Sequence, residues 1–119
     1  MALEQAAHGQ ATRLGMPTIV GSLQDVLGQR LVAIIAGVSD AKAVSKWARG
    51  GRSPHPETDQ RLRNAYQIVH LLLERESPET VRAWFVGMNP DLDDQAPAMV
   101  LGKDPMGVLQ AARTFLAHG

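Results

Sequence analysis

Residues 31–52, LVAIIAGVSDAKAVSKWARGGR, constrain the fold more than any other stretch of this chain. An apolar segment runs to Ala36, a Gly-Val-Ser corner follows, a second segment carries basic residues, and Gly50-Gly51 stops it. Gly37 stands where a helix C-terminus needs left-handed backbone, which glycine adopts without a steric penalty. Val38 is the apolar plug of the corner. Ser39 or Asp40 caps the next helix, which runs to about Ala48. Two helices joined by so tight a turn read as a helix-turn-helix, whose second helix can enter a DNA major groove.

The second helix sorts its side chains to match. Val44 and Trp47, three apart, face inward. Ser39, Lys42, Ser45, Lys46 and Arg49, with Arg52 in the loop beyond, are the candidate DNA contacts. Lys and Arg reach phosphates or guanine edges, and Ser can bond either. The pattern resembles the Xre/Cro-type helix-turn-helix, with one residue more between Gly37 and Val44 than the common pattern holds. Either the turn is longer, or the second helix starts one residue late.

Charge is distributed to suit this reading although the net is zero. Between residues 29 and 63, Arg30, Lys42, Lys46, Arg49, Arg52, Arg61 and Arg63 face only Asp40, Glu57 and Asp59, a net of +4. Between 74 and 119, seven acidic residues outnumber Arg75, Arg82, Lys103 and Arg113, a net of −3. A basic block beside an acidic one suggests two surfaces with different partners.

The rest of the chain is helical by pattern, and the expected fold is all-α. With 119 residues, 45% of them apolar, it can form one compact domain or two small helical units sharing a core. Two Trp, two Phe and one Tyr are too few aromatics for an all-β domain. The absence of cysteine excludes disulfides, thiolate zinc sites and cysteine nucleophiles, and is compatible with a cytoplasmic location. No apolar run reaches the roughly 18 residues of a membrane span.

In order, residues 1–20 are expected to be a flexible arm, without the charged start and apolar centre of a signal peptide. Met16-Pro17-Thr18 breaks whatever precedes it. Ser22 starts a helix, with Asp25 in a capping-box-like relation and Leu23, Val26 and Leu27 on one face. Gly28 ends or bends it. Gln29 to Ala36 follows, with Leu31, Val32, Ile34 and Ile35 available for the core. After a loop at 50–56, Pro56 or Glu57 opens the longest helix, to about Glu74, with Leu62, Ala65, Tyr66, Val69, Leu72 and Leu73 at helical spacing. This closes a unit at 21–75. Ser77-Pro78-Glu79 restarts the chain with a cap, a proline at the first helical position and an acid at the positive dipole end. That helix ends at Gly87. Ala96-Pro97 opens a short helix and Asp104-Pro105 the last one, striped by Val108, Leu109, Ala112, Phe115 and Leu116.

Residues 77–101, SPETVRAWFVGMNPDLDDQAPAMVL, carry the more specific pattern: Trp84, Gly87, Asn89-Pro90, Leu92, Pro97 and Leu101. Trp84 and Phe85 anchor a helix, Gly87 releases the chain, Asn89-Pro90 sets a rigid turn, Leu92 tucks back and Pro97 restarts a helix. This resembles the toxin-binding domain of the Xre/MbcA/ParS-like type II antitoxins, whose members join such a region to an N-terminal helix-turn-helix. The resemblance covers nearly the whole chain from Leu23 onward. It implies an Xre-like helical bundle followed by a small toxin-binding domain at 76–119. It also implies a RES-domain, NAD-consuming toxin as partner, obstruction of that toxin's NAD pocket, repression of the pair's own operon, and a homodimer that assembles further with toxin. Trp84, Gly87, Pro90, Leu92, Pro97 and Leu101 would shape the surface. Asn89, Asp91, Asp93, Asp94, Arg113 and His118 are the candidate toxin contacts, the carboxylates at 91–94 or the chain terminus facing cations that hold the NAD pyrophosphate. The other class is a stand-alone helix-turn-helix regulator without a toxin.

No enzyme is expected. His8, His55, His70 and His118 have no metal-ligand spacing, and no nucleophile triad, phosphate loop or carboxylate pair stands out. No cofactor is implied. Met88, Met99 and Met106 read as gap-filling core.

Overall fold

Six of the seven prolines stand at the opening of a helical element, which sets most of the boundaries. Proline's fixed φ suits the first helical turn, and its missing N–H has no carbonyl partner to lose there. A computed structural model describes residues 14–118. Within it α1 spans Met16–Leu27, α2 Gln29–Ala36, α3 Lys42–Ala48, α4 Pro56–Leu73 and α5 Pro78–Val86. A 3-10 turn follows at Pro90–Leu92, then α6 at Pro97–Val100 and α7 at Pro105–His118. No strand occurs among the described residues, so the fold is all-α. No helix among them is long and apolar enough to cross a membrane.

The start of α1 corrects the expected arm at 1–20. Residues 1–13, with His8, lie outside the described residues, as does the terminal Gly119. Met16-Pro17 opens α1 rather than breaking the chain, and Gly15 accepts its first backbone bond, from Ile19 (3.1 Å). The reason is apolar spacing: Met16, Ile19, Val20 and Leu23 lie on one buried face at i, i+3, i+4 and i+7. Ser22 is therefore mid-helix and caps nothing. Its hydroxyl shares a 3.0 Å hydrogen bond with Nε2 of His70 on α4. Tyr66 stacks on the same imidazole, ring centroids 4.1 Å apart. Burial pushes the His70 imidazole below its ordinary pKa against the opposing pull of Glu74, and the ring bridges α1 and α4 through Ser22.

α1 packs on α2, α3, α4 and α5, and α4 packs on α1, α2, α5 and α7. One hydrophobic cluster runs through both expected units: Ile19, Leu23, Val44 and Leu62 belong to it, and so do Val81, Phe85, Leu101 and Val108. Residues 76–119 thus share a core with residues 16–75. Each fully buried side chain of this kind contributes about 1.5–3 kcal/mol. α4 buries Ile68 and Leu71 beside the expected stripe, because neighbours cover it on more than one side. Ile34 is the exception on α2: it is 51% exposed, since the turn that buries Leu31, Val32, Ile35 and Ala36 leaves its face outward.

Two arginines close helix ends that lie far off in sequence. Arg82 of α5 donates from Nε and Nη2 to the carbonyl of Val26 in the last turn of α1 (3.2 and 3.1 Å). Arg61 of α4 donates from Nη1 to the carbonyl of Ala36, the last of α2 (3.2 Å). Helix C-termini leave carbonyls without intrahelical partners and carry partial negative charge, so a guanidinium there satisfies both. The Arg61 guanidinium lies between Gly37 and Gly102, where an added Cβ would come within 2.7 Å of it from either side.

Candidate functional site

The basic surface is built on the α2–α3 corner. Gly37 takes φ 77° and ψ 24°, its N–H reaches the Ile34 carbonyl, and the Val38 N–H reaches that of Ala33 (both 3.1 Å). This pair of bonds is a Schellman ending, which needs the left-handed residue glycine supplies. The Asp40 carboxylate accepts from the Lys42 N–H (2.9 Å), and α3 begins at Lys42. With α3 starting at Lys42, Val44 (0% exposed) and Trp47 (5%) face inward.

Lys42 and Lys46 are exposed on α3 and Arg49 just past its end, and Ser39 and Arg52 are exposed in the turns on either side. α3 itself carries no acidic residue. Ser45 departs from its expected outer position. It is half-buried, and its hydroxyl donates to Oε1 of Gln29 (3.0 Å), while Gln29 Nε2 donates to the Ala41 carbonyl (2.7 Å). Gln29 thus clamps the start of α3 to the start of α2, and Ser45 is held inward by that clamp.

The second surface lies between α5 and α7. Ser77 caps α5 by accepting from the Thr80 N–H (3.2 Å). Phe85 is fully buried, and Trp84 is half-buried, edge-on to Phe85 at 5.1 Å and tilted to Phe115 of α7 at 6.4 Å. Past Gly87, Asn89 organises the turn. Its Oδ1 accepts from the Asp91 N–H, and its carbonyl accepts from Leu92 and Asp94 (each 2.9 Å). Asp93 and Asp94 are left-handed, φ 55° and 62°, a conformation Asp tolerates better than most residues. Leu92 is buried, and its 3-10 turn packs on α7. Pro97 and Leu101 are buried as well, and Asp104 caps α7 through the Gly107 N–H (2.9 Å).

These elements leave an open groove of about 380 Å³, lined by Trp84, Met88, Asn89, Pro90 and Asp91 and by Phe115 and His118 of α7. A shallower extension of about 280 Å³ continues past Ala83 and Gly87. The structure gathers Asn89, Asp91 and His118 of the expected partner contacts around this groove. Asp93, Asp94 and Arg113 are exposed but do not line it.

Met88, Met99 and Met106 correct the reading of methionines as core, being 82%, 65% and 67% exposed. Met88 follows the end of α5, Met99 points away while Ala98 and Val100 turn in, and Met106 lies in the first turn of α7. Sequence reasoning therefore missed Met88 as a wall of the groove. The signal available was its place in a polar turn, where no helical stripe could carry it inward. No family model, no curated protein and no solved structure matches the chain.

Proposed function

We propose that this chain is a type II antitoxin of the Xre/MbcA/ParS-like kind, which binds a RES-domain toxin through residues 76–119 and blocks its NAD pocket. One observation carries the reading. Trp84, Asn89 and Pro90 of the C-terminal motif converge on one open groove, with the exposed Met88 (82%) in its lining. α2 and α3 would form the helix-turn-helix of this architecture, with Lys42, Lys46 and Arg49 toward operator DNA.

The deciding experiment is co-expression with the product of the adjacent reading frame, followed by co-purification and measurement of cellular NAD. The expected result is a stable complex and NAD held at its normal level. Asp91→Asn, Asp93→Asn and Asp94→Asn together remove the acidic charge while keeping a residue type that tolerates left-handed backbone. This triple variant is expected to bind about tenfold more weakly, roughly 1.4 kcal/mol. Unchanged affinity would place the toxin-binding surface elsewhere. No toxic neighbour and no rescue would leave a stand-alone regulator.

DNA binding has its own readout. For the stretch upstream of the reading frame, log affinity should fall linearly with log salt, by about 0.9 for every phosphate neutralised. Replacing Lys42, Lys46 and Arg49 by Ala should flatten that slope by about 0.9 for every phosphate these side chains neutralise. Fluorescence anisotropy across salt concentrations measures it, and an unaltered slope would mean that α3 does not face DNA.

A further inference from the structure

We infer that the groove between α5 and α7 receives a large apolar side chain of the partner, carried on a segment with basic residues beside that side chain. The inference deepens the antitoxin reading by naming the toxin feature this face would hold, and it rests on that reading for the identity of the partner alone.

Shape supports an apolar anchor. The rings of Trp84 and Phe115 pack on each other, centroids 6.4 Å apart, and line the groove as one apolar surface with Met88 beside them. An exposed Met is unbranched and polarizable, so it can close over side chains of different shape. At about 380 Å³ the groove is at the small end of the range for small-molecule pockets, roughly 300–1,000 Å³. Some of the polar groups around it are already engaged. Asn89 Oδ1 holds the Asp91 N–H, the Thr114 hydroxyl donates to the Gln110 carbonyl, and His118 Nδ1 bonds the Thr114 carbonyl (2.9 Å). A polar small molecule needs convergent free groups to orient it, and this lining offers few.

Charge selects what flanks the anchor. Among the described residues, no Lys or Arg lines the groove or its extension. The nearest arginine on α5, Arg82, is turned to the Val26 carbonyl. Asp91 stands at the mouth with its carboxylate accepting no hydrogen bond among the described residues, and Asp93 and Asp94 follow it on the exposed turn. A cation beside the anchor, over the 91–94 turn, would complement these three carboxylates, and an anion would be repelled.

The test uses the full chain, 15N-labelled, and a short peptide with Phe-Leu at its centre flanked by Lys and Arg. A control peptide carries Glu in their place. Each protein molecule has two indole N–H signals, from Trp84 beside the groove and from the buried Trp47. The basic peptide should shift the Trp84 signal saturably and leave Trp47 in place, and the acidic peptide should shift neither. Met88→Asp and Asp91→Lys, both at exposed positions, should each weaken the basic peptide about tenfold. An equal response to both peptides, no Trp84 shift, or undiminished binding by Met88→Asp would overturn the inference. Peptide binding of this pattern without toxin rescue sinks the antitoxin reading and keeps the groove. Rescue without peptide binding sinks the groove and keeps the antitoxin.

Discussion

Phe85→Ala is expected to lower the unfolding free energy by about 3–5 kcal/mol, the range for emptying a buried phenylalanine site. Phe85 is fully buried on α5, inside the cluster that also holds Ile19, Leu23 and Leu62. Its removal also deletes the edge-on packing with Trp84, and such aromatic pairs contribute about 0.5–1.5 kcal/mol beyond their area. Set against a total of about 5–15 kcal/mol for a domain, this is a large share. Because the core is shared, the damage should not stay in the C-terminal half. Trp47 reports on α3 and Trp84 on α5, so urea unfolding followed separately in Trp84→Phe and Trp47→Phe backgrounds reads each end. Coincident midpoints, both lowered by Phe85→Ala, are expected. A C-terminal transition that moves while the Trp47 signal holds its midpoint would refute the single-core account.

Gly37→Ala is the second substitution with a large expected effect, and its cost has two separable parts. A Cβ in the left-handed region costs about 1–2 kcal/mol. The same Cβ would stand 2.7 Å from Arg61 Nη1, so the guanidinium must swing away from the Ala36 carbonyl. A hydrogen bond from a charged donor contributes about 1.5–3 kcal/mol. Because the Arg61 tip is flexible, the steric clash is relieved and the hydrogen bond is broken in its place. A double-mutant cycle therefore has a defined sign. Arg61→Ala should cost less in the Gly37→Ala background than alone, with a coupling of about 0.5–3 kcal/mol. Gly102→Ala presses the same guanidinium from the other side and should show the same coupling with Arg61→Ala. Additive costs in both cycles would mean that the niche between the two glycines does not hold Arg61 in solution.

The helix boundaries at Gly37, Ser77, Gly87, Pro97 and Asp104 are readable in the sequence because caps, prolines and left-handed glycine act within four or five residues. The same locality explains the miss at Met16-Pro17. Proline suits the first helical turn and the end of a broken segment equally, and only burial of Ile19 and Val20 against other helices distinguishes the two. The left-handed pair at Asp93 and Asp94 has no such local signal, although Asn89 does read as the organiser of its turn.

The candidate surfaces are legible in part. Lys42, Lys46 and Arg49 are exposed as helical spacing implies, since Val44 and Trp47 fix which side is inward. Ser45 is not free, because its partner Gln29 is sixteen residues away and no local pattern shows the pairing. Asn89, Asp91 and His118 meet at one groove only because α7 folds back on α5 and the 3-10 turn.

By itself the sequence determined that the chain is helical, where most helices start and stop, and that Val44 and Trp47 of α3 turn inward. These follow from short-range forces: backbone hydrogen bonds, φ preferences, dipole ends and apolar period. Only the tertiary structure decided that the two expected units share one core, that Arg61 and Arg82 close helix ends far from their own, and that Ile34, Met88, Met99 and Met106 stay outside. Those outcomes depend on which helices become neighbours, and that is a balance of burial over the whole chain that no single stretch contains.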